Sequence, residues 1–167
     1  MKRKTVFFLI IGSVLLLVVI LGYCSLRKVS NRELAARRGK PMPVLPFRFL
    51  SPLHSLEGKP VVINYFSPDC DHCQYMATQM VKNKNAFKTC EVVMVTGANE
   101  GQTRAFITQY KLNELSFITV GIDTASRFFS LFGMADSPSF FVYSRQHYLQ
   151  RAIAGETRID SLSCLLN

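Results

Sequence analysis

The order of apolar and polar positions divides the chain into one uninterrupted apolar run and a region of short alternating segments. No charged residue occurs in residues 5–26, and residues 6–21 are almost entirely Val, Ile, Leu and Phe, broken only by Gly12 and Ser13. A helix needs about 20 apolar residues to cross the hydrocarbon core of a bilayer, whereas the apolar part of a cleaved signal peptide has about 7–15. A buried core helix would show a polar face. The run therefore predicts a transmembrane helix over residues 5–26.

From residue 59 onward, short apolar runs alternate with segments of helical spacing. The runs predict strands at Pro60–Ser67, Glu91–Thr96, Ser116–Ile122, Phe140–Tyr143 and Tyr148–Ala154, the last two joined as a hairpin through Arg145 and Gln146. The other segments predict helices at Cys70–Ala86, Asn99–Leu112 with Asn99 as its cap, Thr124–Phe132 and Ile159–Leu166. This alternation predicts an α/β fold, a mixed central sheet flanked by helices, after the N-terminal transmembrane helix.

These patterns divide the chain into three parts. Residues 1–26 form a predicted membrane anchor, and residues 27–46 form a basic, then proline-rich tether in which Pro41, Pro43 and Pro46 disfavour helix. Residues 47–167 form the predicted folded domain.

The positive charge is concentrated around the apolar run. Of the net charge of +9, +8 lies in residues 1–40, which contain nine basic residues and one acidic residue. A nucleic-acid-binding domain would carry its basic patch on the folded part, so nucleic acid is excluded as a partner. Basic residues beside an apolar run suit anionic lipid head groups. Lys2, Arg3 and Lys4 favour a cytoplasmic N-terminus, and the basic residues that closely follow the run favour the reverse; the four-residue head resembles the start of an exported bacterial chain, so the first orientation is preferred. The folded domain is then expected outside the cytoplasm of a bacterium, on a single-pass anchor.

The sharpest chemical motif is Cys70-Asp71-His72-Cys73, which directly follows a predicted strand and opens a predicted helix. Unpaired N–H groups and the positive end of the dipole at a helix start favour an anion, and hence a nucleophilic thiolate. Cys73 lies one turn further on and can close a disulfide with Cys70. A second feature is Ser137-Pro138 before the strand at Phe140–Tyr143, a candidate cis-proline.

The segments Pro60–Cys73 and Asp136–Phe140 resemble the thioredoxin superfamily, and more closely its membrane-tethered TlpA/ResA-like redoxins. The resemblance covers residues 41–167 and implies a thioredoxin-like fold with thiol–disulfide oxidoreductase activity. It implies that Cys70 is the nucleophile, Cys73 the resolving thiol, Pro138 the cis-proline and Ser137 the neighbour that binds substrate. Protein thiols and disulfides, together with a membrane or extracytoplasmic redox partner, are then the expected partners. The only cofactor expected is the redox-active disulfide.

The sequence departs from this family at positions that govern proton transfer and redox tuning. Asn64 stands where thioredoxin has a buried aspartate, and the chain has no Trp. His72 occupies the place held by histidine in oxidising relatives, where an imidazolium would stabilise the Cys70 thiolate and make a stronger oxidant. Asp69 and Asp71 oppose this effect, because like charge disfavours a thiolate. The potential is therefore expected anywhere between about −270 and −120 mV.

Several other interpretations stay open at this stage. The cysteine pair can be half of a zinc site, although no second CxxC supplies the remaining ligands. A peroxiredoxin-like thiol peroxidase and a non-catalytic binding module or metallochaperone are the alternative functions. Ser67 stands where such a peroxidase has threonine. Cys24, at the end of the apolar run, faintly resembles a lipidation site, and Cys90 and Cys164 can be buried thiols or a disulfide.

Overall fold

The computed structural model describes residues 12–23, 38–133 and 137–163. The chain divides into two compact units, residues 1–33 and residues 34–167. In the first unit, residues 12–23 form helix α1, which carries no charged residue and exposes its apolar side chains. Among the described residues, no helix combines the length and the apolar character required to cross a membrane. Residues 5–11 and 24–26 of the expected span lie outside the described residues.

The second unit is a six-stranded mixed sheet with helices on both faces. Its strands are β1 (Arg48–Phe49), β2 (Val61–Tyr65), β3 (Glu91–Thr96), β4 (Ile118–Ile122), β5 (Ser139–Tyr143) and β6 (Leu149–Ala154). Its helices are α2 (Asp71–Lys82), α3 (Glu100–Gln109), α4 (Phe128–Phe132) and α5 (Ile159–Ser163), with short 3-10 turns at Lys84–Phe87 and Leu112–Glu114. The predicted α/β fold with a mixed sheet is confirmed.

The strand order is β1-β4-β3-β2-β5-β6. Strands β2, β3 and β4 are parallel to one another, whereas β1 pairs antiparallel with β4, β5 with β2, and β6 with β5. The central strands are buried on both faces, which explains their nearly continuous apolar sequence. The two-residue strand β1 is absent from the sequence-based prediction, because a run this short has no periodicity.

Alternate side chains of the strands enter two separate apolar clusters, one on each face of the sheet. The first packs under α2, α3 and α5 and contains Cys73 and Phe140. The second packs against α4 and contains Phe128 and Phe141. Phe140 and Phe141 therefore lie on opposite faces of the sheet, and Phe140 lies on the same face as Cys73.

Helix boundaries differ from the sequence-based expectation at three places, one of which is α3, which ends at Gln109 rather than at Leu112. Helix α2 ends at Lys82, before the predicted end at Ala86, and the 3-10 turn at Lys84–Phe87 follows it. Helix α4 begins at Phe128 rather than Thr124, because the Asp123 carboxylate accepts the N–H groups of the two residues at the helix start. The cap at Asn99 is confirmed: its side chain accepts the N–H of Gln102 at 2.9 Å.

Residues 38–42, in the predicted tether, lie along β6. Gly39 N donates to Leu149 O at 2.7 Å, Leu149 N donates to Lys40 O at 2.9 Å, and Met42 N donates to His147 O at 2.8 Å. The last part of the predicted tether is thus hydrogen-bonded to the sheet.

Candidate redox-active site

Strand register brings three separate loops to one end of the sheet. Tyr65, the last residue of β2, lies opposite Ser139, the first residue of β5. The chain that follows β2 toward Cys70 therefore meets the chain that precedes β5 at Pro138. Ser139 also pairs with Ala154, the last residue of β6, so the loop after β6 reaches the same end. The candidate site is formed where these three loops meet.

Cys70 is the residue that immediately precedes helix α2. Its backbone is extended, and its carbonyl accepts the first helical bond, from Gln74 N at 3.0 Å. The Gln74 side chain also donates to Pro68 O at 2.9 Å and fixes the preceding turn. The Cys70 sulfur is half-buried and lies 3.4 Å from the carbonyl oxygen of Ser137, to which it donates. It is thus placed at the helix start, beside the residue expected to bind substrate.

Cys73 lies behind Cys70 in the interior, with 2% of its surface exposed. Its sulfur accepts a hydrogen bond from Ser67 N at 3.5 Å. Burial raises the pKa of the Cys73 thiol to about 12; the Ser67 N–H lowers it, and the neighbouring Cys70 raises it further. Both cysteines are free thiols. The pair therefore combines a partly accessible sulfur, that of Cys70, with the buried thiol of Cys73, which stays protonated at neutral pH.

The peptide bond between Ser137 and Pro138 is cis, as the sequence predicts. Pro138 is buried and Ser137 is partly buried. The Pro138 carbonyl accepts a hydrogen bond from Gly155 N at 2.7 Å, and Gly155 adopts a φ of +82°, which glycine accommodates readily. This segment and the CxxC loop are in contact through Cys70, as the family resemblance implies.

The two residues between the cysteines differ in their contacts. Asp71 is the exposed first residue of α2, a favourable place for an acid. His72 is 68% exposed, and its Nδ1 lies 2.7 Å from a carboxylate oxygen of Glu156, in the loop after β6. The sequence analysis missed Glu156. No local signal links two residues that are 84 positions apart.

Asn64 occupies the interior of β2 and is 2% exposed. Its side-chain amide donates to Ser139 O at 3.0 Å and to Tyr65 O at 3.3 Å. The amide therefore joins β2 to β5 just below the site, and it has no acid or base function there.

The remaining thiols and possible metal ligands offer no second centre within residues 12–23, 38–133 and 137–163. Those residues contain no group of three or more His, Cys, Asp or Glu side chains that could hold a metal ion. Cys90 is buried and donates to Phe87 O at 3.3 Å, and burial together with Glu91 raises the pKa of its thiol to about 12. Cys24 and Cys164 lie outside the described residues.

A polar groove of about 650 Å³ runs beside the motif. One wall is the face of α2 that carries Tyr75 and Gln79, and the other is the loop from Glu156 to α5. Because Glu156 also contacts His72, the groove continues from the redox site along α2.

Solved structures with this fold include several redox proteins. A secreted disulfide oxidoreductase of Mycobacterium tuberculosis, homologous to E. coli DsbE, matches with a TM-score of 0.56 and 22% identity over 66% of this chain and 82% of that chain. The thioredoxin domain of a thiol-disulfide oxidoreductase of Bacteroides vulgatus matches with a TM-score of 0.62 and 17% identity over 78% and 98%. StoA of Bacillus subtilis matches with a TM-score of 0.55 and 16% identity over 66% and 84%. These likenesses show the thioredoxin-like fold.

Among curated proteins, no sequence matches this chain. The model of the AhpC/TSA family matches residues 51–152, which include β2, the CxxC motif, the Ser137-Pro138 segment and most of β6. The match spans more than half of the chain and contains the whole cysteine pair. The chain is a member of the AhpC/TSA family, with a thioredoxin-like fold.

Proposed function

We propose that this protein is a thiol–disulfide oxidoreductase that exchanges disulfides with extracytoplasmic protein substrates through Cys70 and Cys73. The observation that carries the proposal is the position of the half-buried Cys70 sulfur, 3.4 Å from the Ser137 carbonyl, with Cys73 buried behind it. Structural neighbours described as disulfide oxidoreductases support the same assignment.

The exchange proceeds in two balanced steps. The Cys70 thiolate attacks one sulfur of a substrate disulfide; a bond forms between Cys70 and that sulfur, and the other substrate sulfur leaves as a thiolate that takes a proton from water. Cys73 then loses its proton and attacks Cys70, which releases the second substrate thiol and leaves a Cys70–Cys73 disulfide. The substrate gains two electrons and the protein loses two. A dithiol protein must return those electrons before the next cycle.

The high pKa of Cys73 separates the two steps in time. When Cys70 is bound to substrate it no longer carries thiolate charge, so its contribution to the raised pKa of Cys73 disappears while burial remains. The Ser67 N–H donates to the Cys73 sulfur and stabilises the thiolate as it forms. Asn64 has no titratable proton, so water takes the proton from Cys73.

The substrates are expected to be polypeptides. The groove beside α2 is open and polar, and its lining residues from Tyr75 to Asn83 span about two helical turns. An extended segment next to a substrate cysteine fits such a groove. The Cys70 thiol donates a hydrogen bond to the Ser137 carbonyl. A thiolate has no proton to donate, so this carbonyl becomes available to the substrate once Cys70 is ionised.

Single-turnover reduction of a model protein disulfide tests the proposal. The reduced full chain in detergent is mixed with insulin, and the conversion of the Cys70 and Cys73 thiols into a disulfide is followed by mass spectrometry. Cys70→Ser should abolish the reaction, and Cys73→Ser should accumulate a mixed disulfide between Cys70 and substrate. Cys90→Ser serves as the matched control, because Cys90 is as deeply buried as Cys73 but lies outside the site, and it should react like the wild type. Equal reaction of wild type and Cys70→Ser would refute the assignment.

Thiol peroxidase activity is the second candidate, favoured by the AhpC/TSA family match. In that case the Cys70 thiolate would attack a peroxide oxygen; Cys70 would become a sulfenic acid, and the peroxide would release water or an alcohol. The Cys73 thiol would then attack the Cys70 sulfur, form the disulfide and release the sulfenic oxygen as water. The same variants distinguish the two activities when hydrogen peroxide replaces insulin. Rapid Cys70-dependent loss of peroxide with slow insulin reduction would favour the peroxidase.

We infer further that residues 5–26 anchor the protein in a bacterial cytoplasmic membrane, with the folded unit in the periplasm. The uncharged helix α1 and the basic residues on both sides of the apolar run support the anchor. Lys2, Arg3 and Lys4 support the orientation with a cytoplasmic N-terminus, whereas basic residues after the run, such as Arg27 and Lys28, favour the reverse. Retention in the membrane fraction after carbonate extraction tests the anchor. The full chain should be retained, and a Leu16→Lys, Val19→Lys double variant should be released. Release of the unaltered chain would refute the anchor.

A further inference from the structure

The loop that follows β6 contacts both halves of the redox site. Gly155 N donates to the Pro138 carbonyl at 2.7 Å, and the next residue, Glu156, places a carboxylate oxygen 2.7 Å from His72 Nδ1. Because β6 is paired with β5 up to Ala154, this loop starts from a fixed position. The carboxylate of Glu156 is therefore held beside the CxxC motif by backbone hydrogen bonds and strand pairing.

The contact changes the electrostatic role of His72. An imidazolium and a carboxylate at 2.7 Å form a charge-assisted hydrogen bond and together carry no net charge. His72 then supplies little positive potential to the Cys70 thiolate. Asp69 and Asp71 flank Cys70 in the sequence with two negative charges. Arg158 and Asp160, which follow Glu156 in the chain, form an ion pair that carries no net charge either.

We propose that Glu156 is a positioning residue of the redox site that neutralises His72 and so makes the Cys70 thiolate less stable than a charged His72 alone would make it. This inference rests on the proposed oxidoreductase function and adds the residue that sets the charge beside the Cys70 thiolate. Without Glu156, a charged His72 would stabilise the Cys70 thiolate, and stabilisation of the reduced form makes a stronger oxidant.

Opposite effects of two single variants provide the test. Glu156→Gln leaves the imidazolium uncompensated, so the Cys70 thiolate population should rise about threefold, the size expected of one exposed charge pair. His72→Gln leaves the carboxylate uncompensated, so the population should fall about threefold. The double variant removes both charges and should return to the wild-type value. A purely structural role would move both single variants in the same direction.

Alkylation of Cys70 by iodoacetamide measures this population, because the thiolate is the nucleophile. The reaction is run at pH 6.0, where an ordinary histidine is largely protonated. The full chain is used with Cys73→Ser as background, and the peptide that contains Cys70 is quantified by mass spectrometry. A better-stabilised thiolate is also a weaker nucleophile, so a threefold change in population becomes about twofold in rate. Glu100→Gln is the matched control: Glu100 is 42% exposed and ion-paired like Glu156, which is 40% exposed, but it lies on α3 and should leave the rate unchanged.

The equilibrium with glutathione at pH 6.0, measured with both cysteines present, is the second readout. Because only the ionised fraction of Cys70 is stabilised, Glu156→Gln should shift the equilibrium constant toward the reduced protein by at most about threefold, equivalent to about 14 mV at 29.6 mV per tenfold. Alkylation rates that are identical in the wild type, the two single variants and the double variant, or single-variant rates that shift together, would overturn the inference. Loss of insulin reduction by the wild type would instead overturn the proposed function, since the alkylation rates are measured without any substrate disulfide.

Discussion

Replacement of Asn64 by aspartate tests how the buried amide of β2 supports the sheet. The amide donates to Ser139 O and Tyr65 O, and its residue is 2% exposed. An ionised aspartate would place carboxylate oxygens against these two carbonyl oxygens, with no donor between them. Asn64→Asp should therefore destabilise the fold most strongly at a pH where the carboxyl group is ionised.

The magnitude follows from the desolvation of that carboxyl group. Burial without a partner raises the pKa of an aspartate by about three units from its usual value of about 3.9. At about 1.36 kcal/mol per unit, the cost at pH 8 is about 4 kcal/mol. A protonated carboxyl group can still donate to Ser139 O, so the cost at pH 4 should be about 1 kcal/mol. Because the folded-state pKa is above the unfolded-state pKa, stability is retained below about pH 4 and is lost as the pH rises to about 7.

Urea unfolding of the full chain in detergent, followed by far-UV circular dichroism at pH 4.5, 6 and 8, measures this change. Asn64→Ala is the control: it removes the two hydrogen bonds without a charge and should cost about 2 kcal/mol at every pH. If Asn64→Asp and Asn64→Ala lose stability in parallel across this range, the carboxyl group is solvated and the reasoning is wrong.

Three further changes have expected outcomes that follow from single contacts. In the reduced protein at pH 8, iodoacetamide should modify Cys70 and leave Cys73 intact over the same period, because a pKa of about 12 leaves roughly one Cys73 thiol in 10⁴ ionised; equal modification, by mass spectrometry, would contradict this. Gly121→Ala should lower the free energy of unfolding by about 1–3 kcal/mol, because the added Cβ would lie 3.0 Å from the Phe49 ring; unchanged urea unfolding would mean that β1 moves freely. Asp123→Ala should cost about 1–2 kcal/mol, because its carboxylate accepts two backbone N–H groups at the start of α4, and Asp123→Asn, which keeps an acceptor oxygen, should cost less in the same assay.

Much of the sheet could be predicted from the sequence because its central strands are continuous apolar runs. The predicted strand Glu91–Thr96 has the same first and last residues as β3. A charged residue begins this apolar run and a polar turn follows it, so both ends are marked in the sequence. Helix α4 could not be delimited in this way. Its start depends on the Asp123 side chain and on Ser126, which adopts a φ of +53° in the preceding turn. Such boundaries are set by single side-chain contacts, which periodicity does not report.

The candidate site also contains some residues that the sequence could place and one that it could not. Cys70, Cys73 and Pro138 could be placed together because the motif and the family resemblance specify both the spacing and the partner segment. Glu156 could not, because its contact with His72 depends on the register between β5 and β6 and on the turn at Gly155. A histidine within the motif therefore indicates a tuning residue, but its effective charge depends on a residue from another loop.

The segment at residues 38–42 has a consequence for behaviour in a crowded compartment. A sheet edge with unpaired N–H and C=O groups is a template for strands of other molecules, and proteins that leave such an edge open are prone to aggregate. Here the Gly39, Lys40 and Met42 backbone occupies part of the outer edge of β6, and Pro41, which forms a bridge with Tyr148, cannot donate to a further strand. At the opposite edge β1 is only two residues long. Proteolytic removal of the chain up to Met42 would therefore expose the edge of β6 and favour self-association through that edge.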